Sequence, residues 1–357
     1  MSEPFVLIPA YQPAQTLVDL VTELRAARPG LDVLVVDDGS GPAYRPVFSA
    51  AARAGARVHH VLLNSGKGYA LKTGFEMLSG LGRPVVTADA DGQHAVADIL
   101  RVGDAIAEDD AIVLGVRAFD AAVPVRSRIG NDATRLLFRL ATGQRLQDTQ
   151  TGLRGFPAPL LDWLGTIDGD RYEYELTMLL RAARSGIELR TVPITTIYLD
   201  GNSSSHFRPI ADSIRIYLPL LAFLGSSLLA FTVDTVALLV LDALFGSLLL
   251  AVVGARLTSG AVNFLVNRRL VFDRHREVPV ARAARRYAAL AGSLLVLNFA
   301  LLAGLHAVGL PLLVAKLATE GTLVILSYAV QARTVFHVPS RQKCGSVERR
   351  VGRSAGL

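Results

Sequence analysis

Asp89 and Asp91 stand one residue apart in Asp89-Ala90-Asp91-Gly92-Gln93, just past a short apolar run. Residues i and i+2 leaving a strand can point to the same side once the chain turns. Two carboxylates so placed suit a hard divalent cation that bridges phosphate oxygens. A second acidic pair, Asp37-Asp38, ends another apolar run, and Asn64-Ser65-Gly66-Lys67-Gly68 follows a third. Acids at two strand ends and a Gly-Lys-Gly turn at a third suggest a nucleotide with a metal-bound diphosphate. A plainer reading stands beside each: a solvated turn for Asp89/Asp91, a turn stabilised by its own side chain for Asp38 before Gly39, a surface lysine for Lys67. No Gly-x-Gly-x-x-Gly follows the first run and no Walker Gly-x-x-x-x-Gly-Lys-Ser/Thr occurs, which disfavours a dinucleotide oxidoreductase and a P-loop NTPase.

The elements that must position these groups alternate. Strands are expected at Phe5–Ile8, Val33–Val36, Val58–Leu62, Val85–Ala88 and Ala111–Gly115, with helices over about 14–27, 43–54 and 68–79. This alternation predicts an α/β fold with a mostly parallel sheet and helices on both faces. Ligands of such sheets bind at the carboxyl ends of the strands, where the polar residues above lie.

The second part of the chain is different. Residues 1–216 carry 22 Lys and Arg against 25 Asp and Glu, whereas residues 217–357 carry 15 against 6 yet hold long apolar runs. Four windows, about 218–241, 244–266, 287–307 and 311–332, are each near the ~20 residues that cross a bilayer as a helix. An all-α, four-span domain over 218–335 is expected, preceded by an amphipathic interface helix over 209–217 and followed by a basic, flexible tail over 336–357. Arg268, Arg269, Arg274, Arg276, Arg282, Arg285 and Arg286 lie between windows two and three, while the other two connections hold no Lys or Arg. The positive-inside rule therefore puts the first domain, the middle loop and the C-terminus in the cytoplasm, at the cell membrane. Asp234 with Arg256, and Lys316 with Glu320, are candidate intramembrane pairs, while Asn263, Asn267 and Asn298 are read as interhelical hydrogen-bonding residues. The chain opens Met-Ser-Glu-Pro and enters a strand at once, so no secretory signal is expected.

Composition narrows the classes. Hydrophobic residues make up 51 % and charged residues 19 %, which excludes a disordered chain. One cysteine, Cys344, excludes a disulfide framework and a Cys-based zinc site. Nothing points to nucleic acid as a partner.

Val35-Val36-Asp37-Asp38-Gly39-Ser40, Asn64-Ser65-Gly66-Lys67-Gly68, Asp89-Ala90-Asp91-Gly92-Gln93 and Gln147-Asp148-Thr149-Gln150-Thr151-Gly152-Leu153-Arg154-Gly155-Phe156 together resemble the family 2 glycosyltransferases of GT-A (Rossmann-like) fold, in the branch of dolichol- or polyprenol-phosphate mannose synthases. The apolar region resembles the GtrA-like membrane domain. The resemblance covers nearly the whole chain, with a catalytic domain over 1–208. It implies a divalent cation (Mg²⁺ or Mn²⁺), a nucleotide-sugar donor, a polyprenyl or dolichyl phosphate acceptor and the bilayer as partners, with a homo-oligomer left open. It makes Asp91 and Gln93 the direct metal ligands, with Asp89 nearer the nucleoside or the metal's waters. It carries over Pro9, Ala10, Tyr11, Asp37 and Asp38 as nucleotide contacts, with Lys67 near the same pocket.

A lipid phosphate is largely dianionic near neutral pH, so it needs positive charge to bind it rather than a base to activate it. Arg117 and Arg128 match the family's acceptor-phosphate arginines, and Arg126 is too close to set aside. In-line attack would invert the anomeric centre. The Gln147–Phe156 stretch is expected at the floor of the sugar site, with Asp148 and Gln150 facing sugar hydroxyls or serving only structure. The Tyr198–Phe207 segment resembles the loop over the diphosphate, but Ser203 stands where a basic residue is usual. Ser204 and His206 remain as hydrogen-bond donors there, His206 being equally readable as structural, and Arg208 is near enough to substitute. The donor expected is GDP-mannose, favoured by the Gln-Asp-Thr-Gln-Thr-Gly stretch, with UDP-glucose as the alternative. A translocator of lipid-linked sugar is the rival of another class. A processive polymer synthase is disfavoured, since no Gln-x-x-Arg-Trp occurs and Trp163 is the only tryptophan.

Overall fold

The computed structural model describes residues 3–106, 111–117, 125–195, 209–272 and 278–335. The chain divides into two compact units, Met1–Phe138 with Gln144–Ile216, and Arg139–Gly143 with Tyr217–Leu357.

The first unit is built on strands β1 (Phe5–Ala10), β2 (Asp32–Asp38), β3 (Ala56–Val61), β4 (Val85–Thr87), β5 (Ile112–Arg117), β6 (Arg154–Phe156) and β7 (Leu189–Ile194). They form one sheet in the order β3-β2-β1-β4-β6-β5-β7. All pairings are parallel except those of β6, which runs antiparallel to β4 and β5. Strands β1, β2, β4 and β5 are nearly continuous apolar runs because helices cover both faces. Edge strand β3 is far less covered: after the buried Ala56 its residues are half-buried or exposed.

Helices α1 (Thr16–Ala27), α2 (Arg45–Arg53), α3 (Lys67–Leu78), α4 (Val96–Ile106), α5 (Val125–Thr142), α6 (Leu161–Gly165) and α7 (Glu173–Arg184) fill the connections. Helix α1 buries Leu17, Leu20, Val21 and Leu24, a single stripe at helical spacing, against the sheet. The five expected strands and three expected helices are present, and β6 and β7 complete the sheet.

The second unit holds α8 (Pro209–Phe245), α9 (Leu248–Val266), α10 (Val280–Ala307) and α11 (Leu312–Val330). One helix thus underlies each expected window. The segment 209–217 is the start of the 37-residue α8 rather than a helix of its own. Among the described residues, two helical stretches are long and apolar enough to cross a membrane, Leu221–Phe245 and Val280–Leu305, each of mean hydropathy 2.1 and with 0 % and 6 % buried.

Helices α9 and α11 each run on into a π-helical turn, Asn267–Phe272 and Gln331–Val335. Both turns begin on a member of one buried polar cluster. Nδ2 of Asn267 donates to Oε1 of Gln331 at 3.0 Å and to Oδ1 of Asn263 at 3.1 Å, and Ser226 Oγ donates to Asn267 Oδ1. Nε2 of Gln331 donates to Ser327 Oγ at 3.0 Å. The expected Asp234–Arg256 pair is present at 3.7 Å, with Ser259 Oγ donating to Asp234 Oδ1 at 2.8 Å. Asn298 donates to Glu320 at 3.4 Å, and the Lys316 side chain, the expected partner of Glu320, lies outside the described residues.

Candidate active site

The carboxyl ends of the parallel strands share one edge of the sheet, and the residues singled out from β1, β2, β4 and β5 collect there. Pairing of Pro9 with Val36 and of Ala10 with Asp37 sets the end of β1 beside the acidic end of β2. Pro9 and Ala10 are buried, and Tyr11, just beyond, is half-buried.

Asp37 and Asp38 are nearly enclosed, at 5 % and 3 % exposure. Asp37 Oδ1 accepts the Ser40 N–H at 2.9 Å, and Oδ2 lies 2.8 Å from Nδ1 of His60. Asp38 accepts the N–H of Ser65 on Oδ1 at 2.8 Å and that of Gly66 on Oδ2 at 2.7 Å. Asp38 therefore fastens the end of β2 to the loop before α3. Burial pushes its carboxyl up despite those two amides.

Lys67 opens α3 and reaches across to the end of β4, where its Nζ lies 2.7 Å from Oδ1 of Asp89. A second carboxylate, Oε1 of Glu175, is 3.2 Å from the same Nζ. His94 Nε2 stands 3.6 Å from Asp89 Oδ2, and neither ring nitrogen of this buried histidine has a hydrogen-bond partner among the described residues. Burial alone would raise the Asp89 carboxyl, but Lys67 and His94 outweigh it and hold Asp89 well below the usual carboxylate range. Asp91 is shifted the other way: burial and the charge of Asp89 both raise it. Its Oδ1 accepts the Gln93 N–H at 3.0 Å, and Oδ2 has no hydrogen-bond partner among the described residues.

Arg117, the last residue of β5, forks onto Asp148: Nε donates to Oδ2 at 2.7 Å and Nη2 to Oδ1 at 3.2 Å. The Asp148 side chain is 0 % exposed, and its Oδ1 also accepts the Gln150 N–H at 2.9 Å. Asp148 thus serves Arg117, the structural one of the two roles left open for it. The same segment continues to Gly152, where a Cβ would run into Oδ2 of Asp89. Residues 148–152 therefore link the acidic end of β4 to the basic end of β5. Asn131 on α5 braces this segment, accepting the Thr149 N–H at 3.2 Å.

Of the other expected residues, Ser204 and His206 lie outside the described residues, as do the side chains of Arg126 and Arg128 on α5. Glu175 and His94 were not foreseen, and Gly152 and Arg154 only as members of the Gln147–Phe156 stretch. One sequence signal could have found Glu175: it shares the apolar face of α7 with Met178, Leu179 and Ala182, where an acid needs a buried partner. Arg154 similarly interrupts the apolar run Leu153–Phe156 and is 1 % exposed.

The residues fit a divalent cation in their chemistry. Asp91 offers an unpartnered, hard carboxylate oxygen whose charge is held at a cost beside that of Asp89, and a cation relieves that cost. Among the described residues no cluster of three His, Cys, Asp or Glu side chains could hold a metal alone, so phosphate oxygens and water would complete the shell.

Comparison with known proteins gives two family matches. The glycosyl transferase family 2 model matches residues 5–158, and the GtrA/DPMS transmembrane domain model matches residues 222–336. An uncharacterised protein of Methanocaldococcus jannaschii is 32 % identical over 57 % of this chain and 84 % of its own length. The polyprenol monophosphomannose synthase of Mycolicibacterium smegmatis is 29 % identical over 53 % of this chain and 76 % of its own. The undecaprenyl-phosphate mannosyltransferase of Micrococcus luteus is 31 % identical over 54 % of this chain and 82 % of its own.

Proposed function

The chain belongs to glycosyl transferase family 2, is a glycosyltransferase and carries a GtrA/DPMS transmembrane domain; from that premise we propose that it moves a hexose from a nucleotide diphosphate to a polyprenyl or dolichyl monophosphate. The observation that carries this reading is the pairing, on one sheet edge, of an acidic centre at the end of β4 with a buried-carboxylate-anchored arginine at the end of β5. The first suits a diphosphate leaving group and the second a phosphate nucleophile.

The donor's nucleoside lies against Pro9–Tyr11 and Asp37. A divalent cation on Asp91, with Gln93, supplies when bound the charge that offsets the departing diphosphate. Arg117 and Arg128 hold the acceptor phosphate, and the guanidinium plane of Arg117 is set by Asp148. A phosphate oxygen attacks the anomeric carbon as the carbon–oxygen bond to the diphosphate breaks. The nucleoside diphosphate leaves, the anomeric centre inverts, and no proton need move, since the acceptor enters already ionised. Ser204 and His206 are assigned to the loop over the diphosphate. The four helices α8–α11 cross the cell membrane, with the first unit, the arginine-rich connection from α9 to α10 and the C-terminus on the cytoplasmic side.

The donor proposed is GDP-mannose, supported by the two relatives whose names specify mannose. Purified chain incubated with radiolabelled GDP-mannose, Mn²⁺ or Mg²⁺ and a short polyprenyl phosphate should give an organic-phase product. UDP-glucose in the same assay should give none; product from UDP-glucose alone would overturn the donor assignment while keeping the reaction class.

A further inference from the structure

The ammonium of Lys67 is shared by two carboxylates that the chain brings from distant places, Asp89 at 2.7 Å and Glu175 at 3.2 Å. Glu175 is itself held: Arg154 Nη2 lies 3.9 Å from its Oε1, and Arg154 Nη1 donates to its backbone carbonyl at 2.9 Å. Arg154 also donates to the carbonyls of Thr151 at 2.8 Å and Thr149 at 3.3 Å. Charges therefore alternate from Arg154 through Glu175 and Lys67 to Asp89.

The backbone fixes this arrangement. Tyr69 N–H donates to the Asp170 carbonyl at 2.9 Å, and Lys72 Nζ pairs with Asp170 at 2.6 Å. A Cβ on Gly68 would fall 2.6 Å from Cβ of Tyr174, so only glycine lets the start of α7 lie this close to the start of α3. A lone buried ion pair seldom repays its desolvation unless its remaining donors and acceptors are satisfied. Lys67 has three donors to place, and the second carboxylate fixes where they point.

We propose that Glu175 is a positioning residue of the transfer reaction: it pins Lys67 against Asp89, so that Asp89 stays a neutralised, oriented carboxylate and Asp91 carries the uncompensated charge for the cation. This inference rests on the donor-site reading above. It has a directional consequence. Glu175→Gln keeps the shape and removes one negative charge, so the surroundings of Asp91 become more positive. Cation binding must then weaken, whereas binding of a bare nucleoside diphosphate must hold or strengthen. A merely structural loss would weaken both.

The test uses the full chain in detergent, with Mn²⁺ affinity read by paramagnetic resonance and GDP affinity in EDTA by calorimetry. Wild type, Glu175→Gln, Glu175→Asp, Lys67→Met and the double variant Lys67→Met/Glu175→Gln are compared, with kcat, KM and the melting temperature of each. Glu175→Gln should raise the Mn²⁺ Kd about tenfold and lower kcat, with GDP affinity not reduced. Glu175→Asp, which keeps the charge, should retain Mn²⁺ affinity within about twofold. The effects of the two single variants should not add in the double variant, because Glu175 orients Asp89 through Lys67. Full additivity in the double variant, or parallel losses of Mn²⁺ and GDP affinity in both Glu175 variants, would overturn the inference. Wild-type protein that binds no Mn²⁺ would overturn the donor-site reading and this inference together, a result the variants cannot mimic.

Discussion

Arg117 grips Asp148 through two hydrogen bonds of 2.7 and 3.2 Å, and the carboxylate that receives them is sealed from solvent. These two bonds hold the guanidinium plane in which the acceptor phosphate proposed above would meet the arginine. Asp148→Asn removes the charge and turns one accepting oxygen into a donor. The expected result is a rise of about tenfold or more in KM for the polyprenyl phosphate, or an equal fall in kcat, with nucleotide affinity unchanged. The protein should also lose about 1–3 kcal/mol of stability, since the partly exposed Arg117 regains some hydration. Arg117→Lys should behave similarly, because an ammonium lacks the fork. A large loss of nucleotide affinity instead would reassign Arg117 to the donor.

Gly152 offers a sharper geometric test. Its missing Cβ is the space that Oδ2 of Asp89 occupies, and both flanks of the contact are held: Thr87 Oγ1 donates to the Gly152 carbonyl at 2.9 Å, and Lys67 holds Oδ1 of Asp89. Gly152→Ala must push Asp89 away from Lys67 or pull the strand β6 out of register. A displacement of about 1 Å at a reacting centre costs on the order of a hundredfold in rate. Transfer activity should fall by that order while the protein stays folded by circular dichroism. Wild-type activity in the alanine variant would show that the position of Asp89 does not matter to the reaction.

The parallel strands were legible because continuous apolar runs ending in polar residues have few other readings. The strand β6 was not, since three residues with a charged Arg154 at their head look like a loop. Antiparallel β6 is nevertheless what brings Gly152 to Asp89. Motif residues at strand ends were legible as types, but their partners were not. Gly68 reads as part of a phosphate-cradling turn, whereas in the structure its missing side chain admits α7 close to α3. Asp148 reads equally as a sugar ligand or as a structural residue, and only its burial and its bonds to Arg117 reveal that its oxygens are committed. Glu175 lies 86 residues from Asp89 in sequence, beyond the reach of any local pattern.

The cation prediction follows from the unequal pair Asp89 and Asp91. Asp89 is neutralised by Lys67, so chelation should depend chiefly on Asp91. EDTA should abolish transfer, and Mn²⁺ or Mg²⁺ should restore it. Asp91→Ala should remain inactive at any cation concentration, while Asp91→Glu should recover partial activity with a weaker cation affinity. Equal product with and without EDTA would remove the cation from the account.

Asn267 extends the argument to the helical unit. It is 0 % exposed, and its amide joins three helical segments at one level, through Ser226 on α8, Asn263 on α9 and Gln331 at the end of α11. Its Nδ2 donates twice and its Oδ1 accepts, so a side chain of similar size without these groups strands Oε1 of Gln331 and leaves Ser226 Oγ only the Phe223 carbonyl at 2.8 Å. Hydrogen bonds between membrane helices are worth about 0.6 kcal/mol on average and up to about 1.7. Asn267→Leu breaks several at once and leaves buried amide groups unpaired, so the loss should lie toward or above the upper figure. The detergent-solubilised variant should melt several degrees lower. Asn267→Gln should recover little, because its longer arm moves the amide past both partners. Donor-nucleotide affinity should stay at the wild-type value in each variant, since the groups proposed to bind it belong to the other unit. A variant that melts with wild type would mean that packing of Phe223, Phe272 and Tyr328 around the cluster, rather than the cluster itself, holds these helices together.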